Sequence, residues 1–428
     1  MPDGDADARG PLRAAFSGLT TRGRSFLAAG AAAGGSAYVL GQPDLLRVGM
    51  LLTVLPVLCV LVLHRTRSRV AASRLLTPDR VTAGGESRVH LRVENVARGM
   101  PTGVLMLQDR VPCVLGSPPR FVLDRIPPGG RRELTYRVRS DLRGRYPLGP
   151  LQLQLTDPFG MAELTRSFHA SDTLTVLPHI EPLPSGALPG DSRGHGDGTR
   201  RTVSRAGDDD VIPREYRHGD DLRRVHWRST AHRGTLMMRR EEQPLKERCT
   251  VLLDTRHAGY EGAGPHSPFE QAVAGAASVV SHLVARDYAV QLLTDTGALL
   301  PGTGAEGAGG AAEISGLLLD ALAVVTPSQG SGFEGARSVL REGEEGLLIA
   351  FLGSVDAEQA DLLGGIRRQA RGGVAFAAAG RLDAMLEMHR MRLLREAGWT
   401  VLPFHPGVPL SRLWHQASAP AGRAAGAW

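Results

Sequence analysis

The stretch from Pro213 to Glu242, PREYRHGDDLRRVHWRSTAHRGTLMMRREE, gathers most of the side chains in this sequence that could do chemistry. It sets ten or more arginines and histidines among Glu215, Asp220, Asp221, Glu241 and Glu242. Four readings are open. Arg, Asp and Glu can interlock as a buried ion network, with Tyr216 and Trp227 packed beneath it, fixing one domain on another. Arg, Tyr and Trp also dominate the energetics of protein interfaces. Arg214, Glu215, Tyr216, Asp220, Asp221, Arg224, His226, Trp227, Arg228, Arg233 and Arg239 therefore form a candidate docking surface. Arg223, Arg224, Arg228, Arg233, Arg239 and Arg240 beside Trp227 give a basic patch suited to a polyanion or an anionic headgroup. Glu215, Asp220, Asp221 and His226 have the chemistry for acid–base work in a hydrolase-like enzyme, but no nucleophile accompanies them. His218, His226 and His232 lack a metal-ligand spacing, and the arginines around them would repel a cation.

Elsewhere the chemistry is sparse. There is no G-x-x-x-x-G-K-[ST] phosphate loop and no G-x-S-x-G nucleophile elbow, and the Gly-rich run Gly302 to Gly310 reads as a loop. Cys59, Cys113 and Cys249 lie far apart without ligand or CxxC spacing, which fits a reducing compartment. No catalytic residue, cofactor or metal is expected. The net charge of +6 is spread through the chain and does not by itself call for nucleic acid. Lys246 is the single lysine and Asn95 the single asparagine, a bias that a GC-rich bacterial genome explains.

The charged stretch parses as strand, helix, strand. Asp220 or Asp221 would cap the helix, Leu222, Val225 and Ser229 would share one face, and Gly234 would close it. Its residues Arg214-Glu215-Tyr216, Gly219-Asp220-Asp221, Arg224, His226-Trp227-Arg228, Thr230-Ala231, Arg233-Gly234, Leu236 and Arg239 resemble the domain-of-unknown-function 58 family of bacterial membrane proteins. Asp157-Pro158-Phe159-Gly160 is similar to the family's Asp-Pro-Phe-Gly element. The resemblance implies a membrane-bound protein often encoded beside MoxR-type AAA+ ATPases. It implies no reaction.

Other elements must position that stretch, and 428 residues suit two or three domains. Residues 1–24 read as a cytoplasmic tail and 25–69 as a transmembrane helical hairpin. The apolar stretches Phe26 to Leu40 and Leu45 to Leu63 flank the turn Gly41-Gln42-Pro43-Asp44. The first is Ala- and Gly-rich. Its pairs Gly30/Gly34 and Ala33/Ala37 would admit a close partner helix, although codon bias also supplies small residues. Arg9, Arg13, Arg22 and Arg24 precede the hairpin and Arg65, Arg67, Arg69 and Arg74 follow it, which places both flanks in the cytoplasm. Arg47 would snorkel at the outer end, and a cleaved signal peptide is the rival reading.

Residues 70–182 alternate with period 2 in Ser87–Glu94, Gly103–Gln108, Arg132–Val138, Leu151–Leu155 and Thr173–Leu177, which predicts an immunoglobulin-like antiparallel β-sandwich. A flexible linker over 183–207 and the charged motif over 208–247 follow. From 248 to 418 strands at Cys249–Leu253, Ala289–Leu293, Gly346–Leu352, Val374–Ala378 and Thr400–Phe404 alternate with helical stretches, a doubly wound α/β layout, and 419–428 is a tail. The first of these strands ends in Asp254-Thr255-Arg256-His257-Ala258 and resembles von Willebrand factor A-like domains, which carry Asp-x-Ser-x-Ser there to hold a divalent ion. Arg256 and Ala258 replace the hydroxyl ligands, so the metal site is degenerate and Asp254 is expected to pair with Arg256 or cap the adjacent helix. The expected role is a non-enzymatic scaffold in the inner membrane that contacts the lipid bilayer and recruits a cytoplasmic partner such as a MoxR-type AAA+ ATPase. Nucleic acid is not an expected partner.

Overall fold

A computed structural model of the chain describes residues 18–67, 70–96, 101–157, 159–186, 213–215, 225, 227–239, 247–300, 310–342, 346–379, 384–405 and 407–418. The chain divides into two compact units, Met1–Pro178 and His179–Trp428.

The first unit opens with helix α1 (Thr21–Leu40) and helix α2 (Pro43–Arg67). Thr20 caps α1 by accepting from the Gly23 amide, and Gly41 ends it at φ 64°, a conformation that costs glycine little. The two helices touch through glycine. A Cβ on Gly30 would lie 2.4 Å from Thr53 Oγ1, and one on Gly49 would lie 2.9 Å from the Gly34 amide nitrogen. Gly49 was not singled out by the small-residue pairs because it stands alone in a leucine- and valine-rich run. Among the described residues one helical stretch is long and apolar enough to cross a membrane, Pro43–Leu63 with 21 residues.

Among the described residues ten strands follow: β1 (Val70–Thr77), β2 (Arg80–Thr82), β3 (Glu86–Asn95), β4 (Val104–Asp109), β5 (Arg120–Leu123), β6 (Arg131–Arg139), β7 (Gly144–Leu148), β8 (Leu151–Thr156), β9 (Glu163–Phe168) and β10 (Asp172–Leu177). They form sheets of order β1-β3-β6, β2-β10-β7 and β5-β4-β8-β9 around one core that includes Val89, Leu91, Leu107, Leu153 and Leu174. Alternation buries every second residue of β3, the physical form of its period-2 pattern. Pairing is antiparallel except between β2 and β10, which run parallel, so the sheet set is not purely antiparallel as expected. Arg74 also departs from expectation. Counted among the charges flanking the hairpin, it is instead buried against Asp109, with side-chain exposures of 3% and 0%.

In the second unit a short antiparallel pair, β11 (Pro213–Glu215) and β12 (Met237–Arg239), brackets helix α3 (Trp227–Arg233). The α/β part comprises β13 (Arg248–Leu253), α4 (Pro268–Ala285), β14 (Ala289–Thr294), β15 (Leu299–Leu300), α5 (Ala311–Val324), α6 (Glu334–Glu342), β16 (Leu347–Leu352), α7 (Ala357–Arg367), β17 (Gly372–Ala378), α8 (Ala384–Glu396), β18 (Thr400–Phe404) and α9 (Leu410–Ser418). Its sheet has the order β15-β14-β13-β16-β17-β18, parallel throughout except for the edge strand β15. Phe333, Leu363, Ile366, Leu394 and Trp399 belong to one core beside the strands. Phe351 and Phe376 stack at 5.0 Å between ring centroids, and the Trp414 ring of α9 stacks on Phe376 at 6.4 Å. Gly275 of α4 leaves room for that layer, since a Cβ there would come within 2.4 Å of the Phe351 ring.

Residues 179–186 already belong to this unit. The Glu181 amide donates to Ser278 Oγ at 2.9 Å, and the Glu181 carboxylate accepts from the Leu410 and Ser411 amides at 2.8 and 3.0 Å, capping α9. Partial burial pushes the Glu181 carboxyl up, but the bonds from Ser411 and Leu410 and the nearby His179 outweigh it and hold it below its ordinary 4.5. A depressed folded value contributes stability that is complete above about pH 4.5 and fades as pH falls through the lower folded value. Glu181→Gln should therefore lower the melting temperature of the full chain at neutral pH. The gap from wild type should narrow as pH falls below about 4.5 and through the lower folded value, which melts across a pH series would check. Of the expected linker, 187–207 lies outside the described residues, as does most of the loop at Gly302 to Gly310.

Candidate functional site

Open parallel sheets bind ligands outside the carboxyl ends of their strands, where the strand order reverses. Here that point lies between β13 and β16, each of which continues the sheet in an opposite direction. Asp254 follows β13 and is fully buried. Its Oδ1 accepts from Arg256 Nε at 2.9 Å and from the Arg256 amide at 3.0 Å, while Oδ2 accepts from Arg256 Nη2 at 2.8 Å and the Gly353 amide at 2.9 Å. Arg256, 2% exposed, also donates to the Ser354 carbonyl at 3.0 Å and lies over the Phe333 ring at 4.3 Å. The guanidinium thus covers the two carboxylate oxygens.

Burial pushes the Asp254 carboxyl above its ordinary range, against the pull of Arg256 and the Gly353 amide. Burial likewise opposes the charge on Arg256, yet Asp254 outweighs it and raises that guanidinium further. The pair is a charge-neutral plug at the switch point. Beside it Asp295, at the end of β14, accepts from the Thr255 amide at 2.7 Å and hydroxyl at 2.5 Å and from Ser328 Oγ at 3.0 Å. Sequence reading missed Asp295, although an acid immediately after a buried parallel strand was the available signal.

A solvent-open cleft adjoins the plug, lined by Gly259, Tyr260, Glu261, Ser354, Glu387 and Arg390 among others. The Tyr260 hydroxyl and Arg390 Nη1 are buried without a hydrogen-bond partner among the described residues. Burial holds the Tyr260 phenol well above its ordinary value, with the Asp254 charge adding to the effect, so it stays a neutral donor. Among the described residues no group of three or more His, Cys, Asp and Glu gathers as metal ligands would.

The charged motif is laid out differently from its sequence pattern. Helix α3 begins at Trp227, and Val225 sits before it as a β-bridge residue, so Val225 does not share a helical face with Ser229. The proposed caps Asp220 and Asp221 lie outside the described residues, as do Tyr216, Arg224 and His226. Arg214, Glu215, Arg228 and Arg239 are placed by their backbones alone, on β11, α3 and β12. The pairing expected among Glu215, Asp220, Asp221, Arg224, Arg228 and Arg239 therefore lies outside the described side chains. Gly234 closes α3 at φ 73°, its amide donating to the Thr230 carbonyl at 2.9 Å, and Thr230 Oγ1 accepts from the Met237 amide at 3.0 Å. These bonds hold helix and strand together. Trp227 is 70% exposed, with His232 and Arg233 also exposed, so the indole is not packed beneath an ion network.

The Asp157 element is resolved chemically. Its carboxylate accepts from the Phe159 amide at 3.0 Å and the Ala162 amide at 2.6 Å, and Gly160 takes φ 67°. Asp157 therefore ties a tight turn between β8 and β9.

Residues 213–345 match the family model described as "Protein of unknown function DUF58". The DUF58 match begins at β11, covers the charged motif and runs through the first half of the α/β part. It supports the family resemblance over that region. No curated protein matches the chain. Among solved structures the chain is similar to a CARDB domain from Pyrococcus furiosus in complex with di-metal ions, at 13% identity and a TM-score of 0.18, covering 26% of this chain and 86% of that one. It is similar to the alkylpurine DNA glycosylase AlkC of Pseudomonas fluorescens at 13% identity and a TM-score of 0.16, covering 30% of this chain and 39% of that one. For the sporulation control protein Spo0M of Bacillus subtilis the values are 16% and 0.17, covering 26% and 50%. Likenesses this slight carry no argument about fold or function.

Proposed function

We propose that the chain is a non-enzymatic scaffold, held in the cytoplasmic membrane by the α1–α2 hairpin, whose other domains face the cytoplasm and recruit a protein partner such as a MoxR-type AAA+ ATPase. The observation that carries the docking role is the exposed Trp227, 70% accessible on α3 beside exposed Arg233. Tryptophan and arginine are the residues that most often anchor an interface, and an indole left in water gains most from being covered. The membrane role draws on the apolar length of α2 and on the exposed Tyr38, Leu40, Leu51, Val54 and Leu61 around the hairpin. The arginines flanking the hairpin favour the cytoplasmic orientation.

In this reading the strands of the first unit form an immunoglobulin-like sandwich. The second unit is von Willebrand factor A-like, which agrees with its strand order and single antiparallel edge strand. Arg256 then carries the positive charge that a divalent ion would carry elsewhere, so partner binding rests on side chains such as Trp227 rather than on a metal. The test is capture of a MoxR-type AAA+ ATPase by the detergent-solubilised full chain. Trp227→Ala should weaken capture by about 30-fold or more, the effect of losing a hot spot of at least ~2 kcal/mol, while leaving the melting curve in place. Undiminished capture by Trp227→Ala and Arg233→Ala together would remove α3 as the docking surface.

A further inference from the structure

We infer that the β8–β9 turn is a second membrane contact, with the Phe159 ring seated in the headgroup layer beside the hairpin. This rests on the membrane reading above. The turn is fixed to the start of α1. Gly18 O accepts from the Glu163 amide at 2.7 Å, the Thr20 amide donates to Met161 O at 3.0 Å, and Thr20 Oγ1 donates to Gly160 O at 2.6 Å. Leu19 and Ala162 form an antiparallel bridge. The approach is close enough that a Cβ on Gly23 would lie 2.2 Å from Met161 O, so Gly23 and the turn stand at one level.

That level is where the apolar part of α1 begins. Phe26 is three residues beyond Gly23, a rise of about 4.5 Å at the helical pitch. Arg22 and Phe26 are four residues apart and share a helix face. The Arg22 Nη1 lies 3.7 Å from the Cβ position of Gly160, next to Phe159. The turn that carries Phe159, an exposed arginine and the start of the apolar part of α1 are thus neighbours.

The turn does not need the ring. Asp157 holds the backbone through the Phe159 and Ala162 amides, while the Phe159 side chain is left 59% exposed. An exposed phenylalanine one helical turn from the apolar edge of a membrane helix gains by entering the interface, and an arginine beside it matches lipid phosphate. The occupant is therefore the bilayer surface.

Environment-sensitive fluorophores on single cysteines of the full chain test the inference. The background is Cys113→Ser, which removes the exposed thiol and leaves Cys59 and Cys249 buried. Labels are attached at Phe159→Cys, at Val54→Cys in α2, and at Val122→Cys on β5, the sheet edge opposite β9. The labelled chains are reconstituted into phosphatidylcholine–phosphatidylglycerol vesicles carrying nitroxide lipids, labelled either near the glycerol or near the chain ends. Position 159 should be quenched chiefly by the shallow label, position 54 by the deep one and position 122 by neither. Quenching at 54 with position 159 behaving like 122 would overturn the inference and leave the membrane anchor standing. An unquenched position 54 would remove the anchor and the inference together.

Discussion

Arg256→Ala is expected to cost the second unit about 3–5 kcal/mol of stability, the usual loss when one member of a buried ion pair is removed. Asp254 is 0% and Arg256 2% exposed at the side chain, so neither charge reaches water when its partner leaves. The variant strands a carboxylate whose remaining donors are backbone amides. Burial already pushes that carboxyl upward, and the variant removes the guanidinium that pulls against it, so the charged form loses its main support. The lost guanidinium also uncovers the face of the fully buried Phe333, adding a cavity to the electrostatic cost. Asp254→Ala should be comparably harmful for the mirror reason. The double variant should cost clearly less than the sum, since it leaves no stranded charge. Denaturant titration of the four proteins in one detergent measures the cycle. Additive losses, or single losses under about 1 kcal/mol as for solvated pairs, would show that the plug is not what holds the switch point together.

Arg74→Ala should destabilise the first unit by a similar ~3–5 kcal/mol. Its guanidinium makes a two-pronged contact with Asp109 at 2.5 and 3.1 Å and donates to the carbonyls of Leu148 and Ala170 at 2.9 and 3.3 Å. Asp172 lies 3.4 Å away. The Tyr136 hydroxyl donates to the same Asp109 carboxylate at 2.6 Å, and burial, reinforced by that bond, keeps the phenol protonated. Arg74 is in β1, Asp109 in β4, Leu148 in β7 and Tyr136 in β6, so one side chain ties together the three sheets of the unit. Arg74→Lys should recover little, because an ammonium cannot reproduce the planar fork that meets carboxylate and carbonyls at once. Tyr136→Phe should cost only about 1–3 kcal/mol, the penalty of one buried acceptor losing one donor. Equal effects from Lys and Ala, both far above that of Tyr136→Phe, are the pattern to look for. A Lys variant as stable as wild type would mean that charge alone matters.

Local pattern determined most of the elements. The five apolar runs of the α/β part lie within one or two residues of β13, β14, β16, β17 and β18; β16 and β17, buried almost throughout, are the continuously apolar ones. The strands β3, β4, β6, β8 and β10 were legible from alternation, since one face of each meets the core. Strands such as β2, β5 and β7 have too few residues for a period to register, and β9 has no clean alternation. Glycine spacing hinted at the helix pair, but Gly49 became visible only when α1 lay against it.

The sequence also put Asp254 and Arg256 two residues apart, near enough to pair. That this pair is buried, capped by the Gly353 amide just after β16 and backed by Phe333, depended on chain segments about eighty to a hundred residues away. The same holds for Arg74, whose partners come from β4, β7, β10 and the loop before β10 and whose burial reverses its apparent role as a flanking charge. Trp227 shows the opposite limit. Composition marked it equally well for a core or for a surface, and its exposure follows from where α3 sits against β12, which no residue type records. Short-range chemistry fixes elements and caps; which charges are dry and which aromatic is wet is decided by the long-range packing that brings distant strands together.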